Sequence, residues 1–170
     1  MNLREIIREE IVKIIQEDHT IYSNTKGGEF GGDQAAGILP FCKSTKRFLL
    51  AHRSEFVNEP NIFGLWGGAI DENENPKEAA LRELEEESGY TGPIKLIPLD
   101  TFIVPKVFKY FSFLGIVNEE FIPSTDNWET QGYRWVTLEE IEDMDLHPGF
   151  RKTFEKKKNE LRKLVGKRND

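Results

Sequence analysis

With one cysteine in 170 residues, Cys42, the chain can form neither an internal disulfide nor a cysteine-based metal site. That composition suits a reducing interior, with Cys42 as a small buried or half-buried residue. No segment approaches the run of about eighteen apolar residues that a membrane-spanning helix needs. The opening stretch, MNLREIIREEIVKIIQEDH, breaks its apolar positions with charge and does not read as a secretory signal. The expectation is therefore a cytoplasmic protein without a membrane partner. Positive charge is in deficit, with 23 Lys and Arg against 30 Asp and Glu and a net charge of −7. This argues against an extended nucleic-acid surface, but leaves room for a small nucleotide held through bound cations. Histidine is scarce too, with three in the chain. His19 reads as the end of a first helix, His52 as a packing or hydrogen-bonding residue, and His147 as part of a helix-entry turn.

What is present is enough for one sizeable core and too little for two ordinary domains. Twelve phenylalanines and three tryptophans argue against disorder for most of the length. Leu3, Ile6, Ile7, Ile11, Ile14 and Ile15 recur at three- and four-residue steps, which predicts an amphipathic helix over residues 3–17. Its apolar stripe would lie on the main domain or on a partner chain, a second copy included. Residues 23–34, SNTKGGEFGGDQ, form a glycine-rich break without the lysine pattern of a phosphate-binding loop, and read as a loop that could cover a substrate.

Strands are predicted at 35–42, 47–52, 94–104, 107–117 and 133–136, each rich in aliphatic or aromatic residues and bounded by Gly, Pro or Asn. Pro40 and Pro98 imply sheet edges or bulges. A hairpin turn is expected near Pro105 and Lys106. Helices are predicted at 76–88, 138–142 and 150–165, the last with a basic stretch at Lys156–Lys158 that reads as a solvated face. Mixed strands with few helices suggest an α/β sandwich rather than repeating βαβ units. The reading divides the chain into residues 1–33 (helix and glycine-rich loop), 34–150 (main domain) and 151–170 (basic helix and tail packed on the domain).

The chemistry concentrates in residues 67–90, GGAIDENENPKEAALRELEEESGY. Asn75 can cap the helix at 76–88, Pro76 suits its first turn, Glu78 completes a capping box and Gly89 can end it in a left-handed conformation. Ala80, Leu81 and Leu84 form the expected apolar face. Glu83, Glu86 and Glu87 fall within one arc of about 100°, so their carboxylates can address one spot. Such a cluster repels itself unless a hard divalent cation such as Mg²⁺ accepts the oxygens. Gly67 and Gly68 are expected to form a tight turn with close backbone approach, presenting a carbonyl to the same cation. Glu74 can organise that turn through Arg82, which sits beside the glutamates as the partner that holds them.

The stretch resembles the Nudix box, GX5EX7REUXEEXGU, where U is a bulky apolar residue. Gly68, Glu74, Arg82, Glu83, Leu84, Glu86, Glu87 and Gly89 fall on the pattern, and Tyr90 replaces the usual aliphatic last residue. The resemblance extends over residues 34–150. It implies a Nudix-like α/β/α sandwich with a mixed sheet, here with an added N-terminal amphipathic helix. It also implies hydrolysis of a nucleoside diphosphate linked to another group, by water attacking phosphorus. By the same resemblance, Glu83 and Glu87 would be the main metal ligands, with Glu86 sharing a metal or positioning its water, and the Gly67 carbonyl a backbone ligand. Two or three Mg²⁺ ions, or Mn²⁺ in their place, would bridge the diphosphate. The general base is either a glutamate of the box or one from a later loop, for which Glu129 is the candidate.

Arg53, directly after a strand, is placed to meet a phosphate or to make a surface salt bridge. Phe63, Trp66, Phe108, Tyr110, Phe111 and Trp128 could stack a nucleobase or fill the core, with Trp128 favoured for the base because it adjoins Glu129. The substrate class stays open. Pro105 follows Tyr90 at a spacing similar to that of ADP-ribose hydrolases, while nucleoside triphosphates, dinucleoside polyphosphates, nucleotide sugars and capped RNA are alternatives. A noncatalytic nucleotide sensor using the same metal face is the competing class, and an interaction protein built on the first helix is a third.

Overall fold

The computed structural model describes residues 34–104 and 108–166. The predicted helix at 3–17, most of the glycine-rich segment and Pro105 lie outside them. Seven strands form one mixed sheet among these residues: β1 (Gln34–Cys42), β2 (Phe48–Arg53), β3 (Phe63–Gly64), β4 (Trp66–Ala69), β5 (Lys95–Val104), β6 (Phe108–Val117) and β7 (Thr130–Val136). Three helices accompany them: α1 (Pro76–Ser88), α2 (Leu138–Glu142) and α3 (Pro148–Gly166). Strand β1 is the hub. It runs parallel to β6 along its whole length, and antiparallel to β4 over Ala35–Ile38 and to β2 at Phe41. β5 closes one side as an antiparallel hairpin with β6, and β7 pairs with β2.

The two central strands are apolar on both faces, which is why they read as near-continuous hydrophobic runs. Ala36 and Ile38 of β1 and Leu49 and Ala51 of β2 pack with Trp66 against Ala79, Ala80 and Leu84 of α1. Leu39, Phe41, Phe48 and Leu50 point the other way, into a cluster with Ile141 of α2 and Phe150, Phe154 and Leu161 of α3. The period-2 alternation of each strand thus serves two cores, giving the α/β/α sandwich. No helix among the described residues is long and apolar enough to cross a membrane.

Differences from the sequence reading have local causes. Gly67 and Gly68 are not in a tight turn; they extend as β4, paired with Gly37 and Ala36. Strands of two and four residues, one of them with two glycines, carry too little propensity to be seen in sequence. Pro98 lies on the edge strand beside a register shift, as expected, but Pro40 is in the central β1. There it falls between Ile38, the last residue paired with β4, and Phe41, paired with β2, where a missing N–H is tolerated. Leu81 is 40 % exposed rather than part of the apolar face; Ala79 takes its place. The basic residues of α3 are ion-paired on the surface, Lys156 with Asp100 at 2.8 Å and Lys158 with Glu155 at 3.0 Å.

Candidate active site

Helix α1 presents the box. Asn75 and Glu78 form the reciprocal capping box, the Glu78 amide donating to Asn75 Oδ1 at 2.9 Å. Gly89 ends the helix at φ 73°, its N–H reaching the Glu85 carbonyl at 2.8 Å. Both ends are therefore fixed by local chemistry, and the apolar face on β1 and β4 fixes the roll of the helix.

Arg82 organises the acidic face. Its Nε and Nη2 clamp the Glu74 carboxylate at 2.8 and 3.0 Å, Nη1 donates to Glu83 Oε1 at 2.8 Å, and Nη2 also reaches the Ala69 carbonyl at 2.9 Å. Glu86 approaches Nη1 at 3.2 Å. The carboxylates of Glu74, Glu83 and Glu86 raise the guanidinium pKa, the Glu74 hydrogen bonds contributing most, and Asp71 lies 3.5 Å from Nε. A planar fork with several donors suits this role better than an ammonium.

Glu83 and Glu87 are buried, while the Glu86 side chain is 52 % exposed at the outer rim. The Glu83 carboxylate lies broadside on Gly68: a Cβ there would stand 2.6–2.8 Å from its carboxyl atoms. A Cβ on Gly67 would strike the Ala36 carbonyl and stand 2.6 Å from Gly37 Cα. The glycines are thus needed for approach, not for unusual φ. Since a displaced ligand of about 1 Å can cost about 10²-fold, Gly68→Ala should fold but lose activity on that order. Paired circular dichroism and turnover measurements check this.

Glu87 carries the electrostatic signature of the site. Burial pushes its pKa well above the ordinary 4.5, and the charges of Glu83 and then Glu129 push it further. Arg53 and a backbone hydrogen bond from Gly67 oppose the shift. Glu129, from the loop before β7, is therefore brought to the same field as the box glutamates. Arg53 closes β2 beside it, but its guanidinium holds the β2–β3 loop: Nε donates to the Glu59 carbonyl at 3.1 Å and Nη2 to the Asn58 carbonyl.

Two residues that the sequence reading did not single out hold the Glu129 loop. Asn127 Nδ2 donates to the Glu87 carbonyl at 2.9 Å, while its Oδ1 accepts from the amides of Glu129 and Thr130 at 3.1 and 2.9 Å. The buried Ser54 reaches across from the end of β2, its N–H to the Glu129 carbonyl at 2.8 Å and its Oγ to the Trp128 carbonyl at 2.6 Å. An Asn two residues before an acid at a strand entry is the available signal, because its side chain mimics a turn. Asn127→Ala should lower kcat about tenfold with little change in KM, as expected of a residue that only aims Glu129. Steady-state kinetics separates the two parameters.

Beside the acidic face lies a cleft of about 150 Å³, lined mainly by apolar groups, with Gly67, Glu87, Glu129, Phe102, Phe108 and Tyr110 in its lining. Trp128, 47 % exposed, also lines it. Of the other aromatic candidates, Trp66 is fully buried, with its Nε1 on the Leu49 carbonyl at 3.3 Å. Phe63 stacks on His52 at 4.5 Å, and Phe111 packs against the α1 side of the core. His147 accepts from the Gly149 amide at 3.1 Å at the start of α3, the helix-entry role expected.

Residues 33–157 match the NUDIX domain. The chain belongs to the Nudix family. Its members are hydrolases acting on phosphorus-containing anhydrides, commonly with divalent metal ions. A Mycobacterium tuberculosis protein provisionally named 8-oxo-dGTP diphosphatase 3 is 30% identical over 148 residues, covering 82% of this chain and 68% of that protein. The Nudix hydrolase RenU from M. smegmatis superposes with TM-score 0.63 at 23% identity, over 81% of this chain and 89% of that one. The MutT protein of Methanosarcina mazei Go1 gives TM-score 0.57 at 26% identity, over 79% of this chain and 95% of that one.

Among the described residues no three His, Cys, Asp or Glu side chains already meet as a metal cage. The donors nevertheless fit a hard cation. Glu83, Glu87 and Glu129 are all oxygen donors, and their mutual repulsion at Glu87 is the penalty a divalent ion would relieve.

Proposed function

We propose that this Nudix hydrolase is a Mg²⁺-dependent pyrophosphohydrolase of nucleoside triphosphates or related nucleoside diphosphate derivatives. The observation that carries the reading is the raised pKa of buried Glu87 between Glu83 and Glu129, at the mouth of an apolar cleft. Glu83, Glu87 and the Gly67 carbonyl would hold the metal, with Glu86 at the rim sharing it, and Mn²⁺ could substitute. When bound, the ions would neutralise phosphate charge and lower the pKa of the attacking water.

The protein's own groups supply positioning. Arg82 holds Glu83 and Glu86 in place, and Glu74 in turn fixes Arg82. Glu129, held by Asn127 and Ser54, would take the proton from water as general base. Arg53 shapes the neighbouring loop and adds positive charge on the cleft side, where a phosphate would lie. Trp128 offers an exposed ring to a base. The name of the M. tuberculosis relative favours a purine nucleoside triphosphate within this class.

The test is product analysis by mass-resolved chromatography. Ordinary and 8-oxo nucleoside triphosphates, ADP-ribose, a dinucleoside polyphosphate and a nucleotide sugar would each be incubated with and without Mg²⁺. Mg²⁺-dependent release of a nucleoside monophosphate is expected. Metal-dependent binding without cleavage of any of them would replace the enzyme reading with a sensor.

A further inference from the structure

Ser112 lies on β6 with 2 % of its surface exposed, and among the described residues its Oγ has no hydrogen-bond partner. It lines the cleft, on the same face of the strand as Phe108 and Tyr110. A hydroxyl buried without a partner costs about 1–3 kcal/mol relative to one that is satisfied, so it calls for an explanation. Its surroundings supply no alternative. Across the parallel ladder its register partner is Gly37, which has no side chain, and across the hairpin it faces Asp100, whose carboxylate is engaged by Lys156 at 2.8 Å.

Beside it on the strand stands an aromatic wall. The Tyr110 hydroxyl lies over the Gly37–Gly67 pair, where a Cβ on either glycine would collide with it. Tyr110 thereby runs from the Gly67 side of the acidic face toward the Ser112 side of the same strand. Phe102, opposite Tyr110 in the hairpin, and Phe108, its ring 6.4 Å from that of Tyr110, pack with it as one apolar wall of the cleft. A second polar atom without a partner among the described residues, Asn58 Nδ2, belongs to a residue of the β2–β3 loop that lines the cleft.

We propose that Ser112 is a specificity-determining residue, its hydroxyl hydrogen-bonding the polar edge of a heterocyclic base laid on the aromatic wall that Tyr110, Phe102 and Phe108 form together. A flat ring matches the aromatic wall, and a polar edge satisfies the one buried hydroxyl left unpaired among the described residues. A wholly apolar ligand would leave it orphaned. The inference deepens the proposed function and rests on it for the nucleotide character of the ligand.

Calorimetric binding of AMP, GMP, CMP and UMP is compared with that of ribose 5-phosphate, using the full chain and its Ser112→Ala and Ser112→Thr variants. At least one nucleotide should bind more tightly than ribose 5-phosphate. Ser112→Ala should weaken that nucleotide about three- to tenfold and leave ribose 5-phosphate unchanged, with Ser112→Thr restoring part of the loss. The melting temperature of Ser112→Ala should stay at or above that of the parent, since no protein hydrogen bond is removed. Equal affinities in parent and Ser112→Ala, no preference over ribose 5-phosphate, or a drop of several degrees in melting temperature would each overturn the proposal. Turnover of the matching triphosphates tests the hydrolase reading separately, because monophosphate binding requires no cleavage.

Discussion

Glu87→Gln is expected to lower turnover about 10³-fold while making the metal-free fold more stable. Burial and the facing charges of Glu83 and Glu129 raise the Glu87 pKa in the folded protein, whereas the unfolded chain titrates near 4.5. The folded state therefore binds the proton more tightly. Stability from this group is fully present below pH 4.5 and falls as pH rises through the raised folded pKa. At neutral pH a glutamine, neutral at every pH, removes that penalty. A gain of about 1 kcal/mol would raise the melting temperature by about 2–4 °C. Metal binding must displace the same proton, so the Mg²⁺ concentration for half-maximal turnover should fall as pH rises. Thermal unfolding without metal and Mg²⁺ titrations at several pH values check both halves. A destabilised Glu87→Gln protein would mean that the carboxylate is a structural partner and not a strained, waiting ligand.

Arg82→Met should act in the opposite sense on stability. The guanidinium is the common partner of Glu74 and Glu83, whose side chains are 14% and 3% exposed, and it also holds the Ala69 carbonyl that leads out of β4. Removing it takes the Arg82 charge away from the buried Glu83 and the half-buried Glu74, at a cost of about 3 kcal/mol. The expected fall in melting temperature is about 6–12 °C. Arg82→Lys should recover only part of this, because an ammonium cannot clamp Glu74 with two parallel bonds while also reaching Glu83 and Ala69. Full recovery by lysine would show that charge alone matters and that the fork geometry does not.

The box and its helix were legible because their signals are local. Asn75, Pro76, Glu78 and Gly89 set the ends of α1 through bonds within a few residues, and the Glu74–Arg82 pairing joins the turn before α1 to its second turn, eight positions on. The positions of β1 and β2 are legible in their apolar runs, whereas the burial of β1 on both faces is not, because Pro40 reads as a sheet edge or bulge. What did not show depends on contacts between distant segments. Gly67 and Gly68 read as a turn because glycines usually mark one; only the approach of Ala36, Gly37 and Glu83 reveals why a strand needs them. Asn127 acquires its meaning from Glu87, forty positions earlier. Ser112 is one serine among several until the hairpin and the cleft leave its hydroxyl alone. Leu81 was misassigned because neighbouring positions on one helix turn differ by a rotation that the sheet, not the helix, decides.

The central claim, cleavage of a phosphoanhydride by water at a Mg²⁺ site built on Glu83 and Glu87, meets its most direct test in isotopically labelled water. A nucleoside triphosphate would be hydrolysed in H₂¹⁸O with Mg²⁺ or with a chelator, and the products weighed by mass spectrometry. One ¹⁸O is expected in a phosphate-containing product, none in the nucleoside, and no product under chelation. Label in the nucleoside, or undiminished cleavage with the metal removed, would contradict the claim.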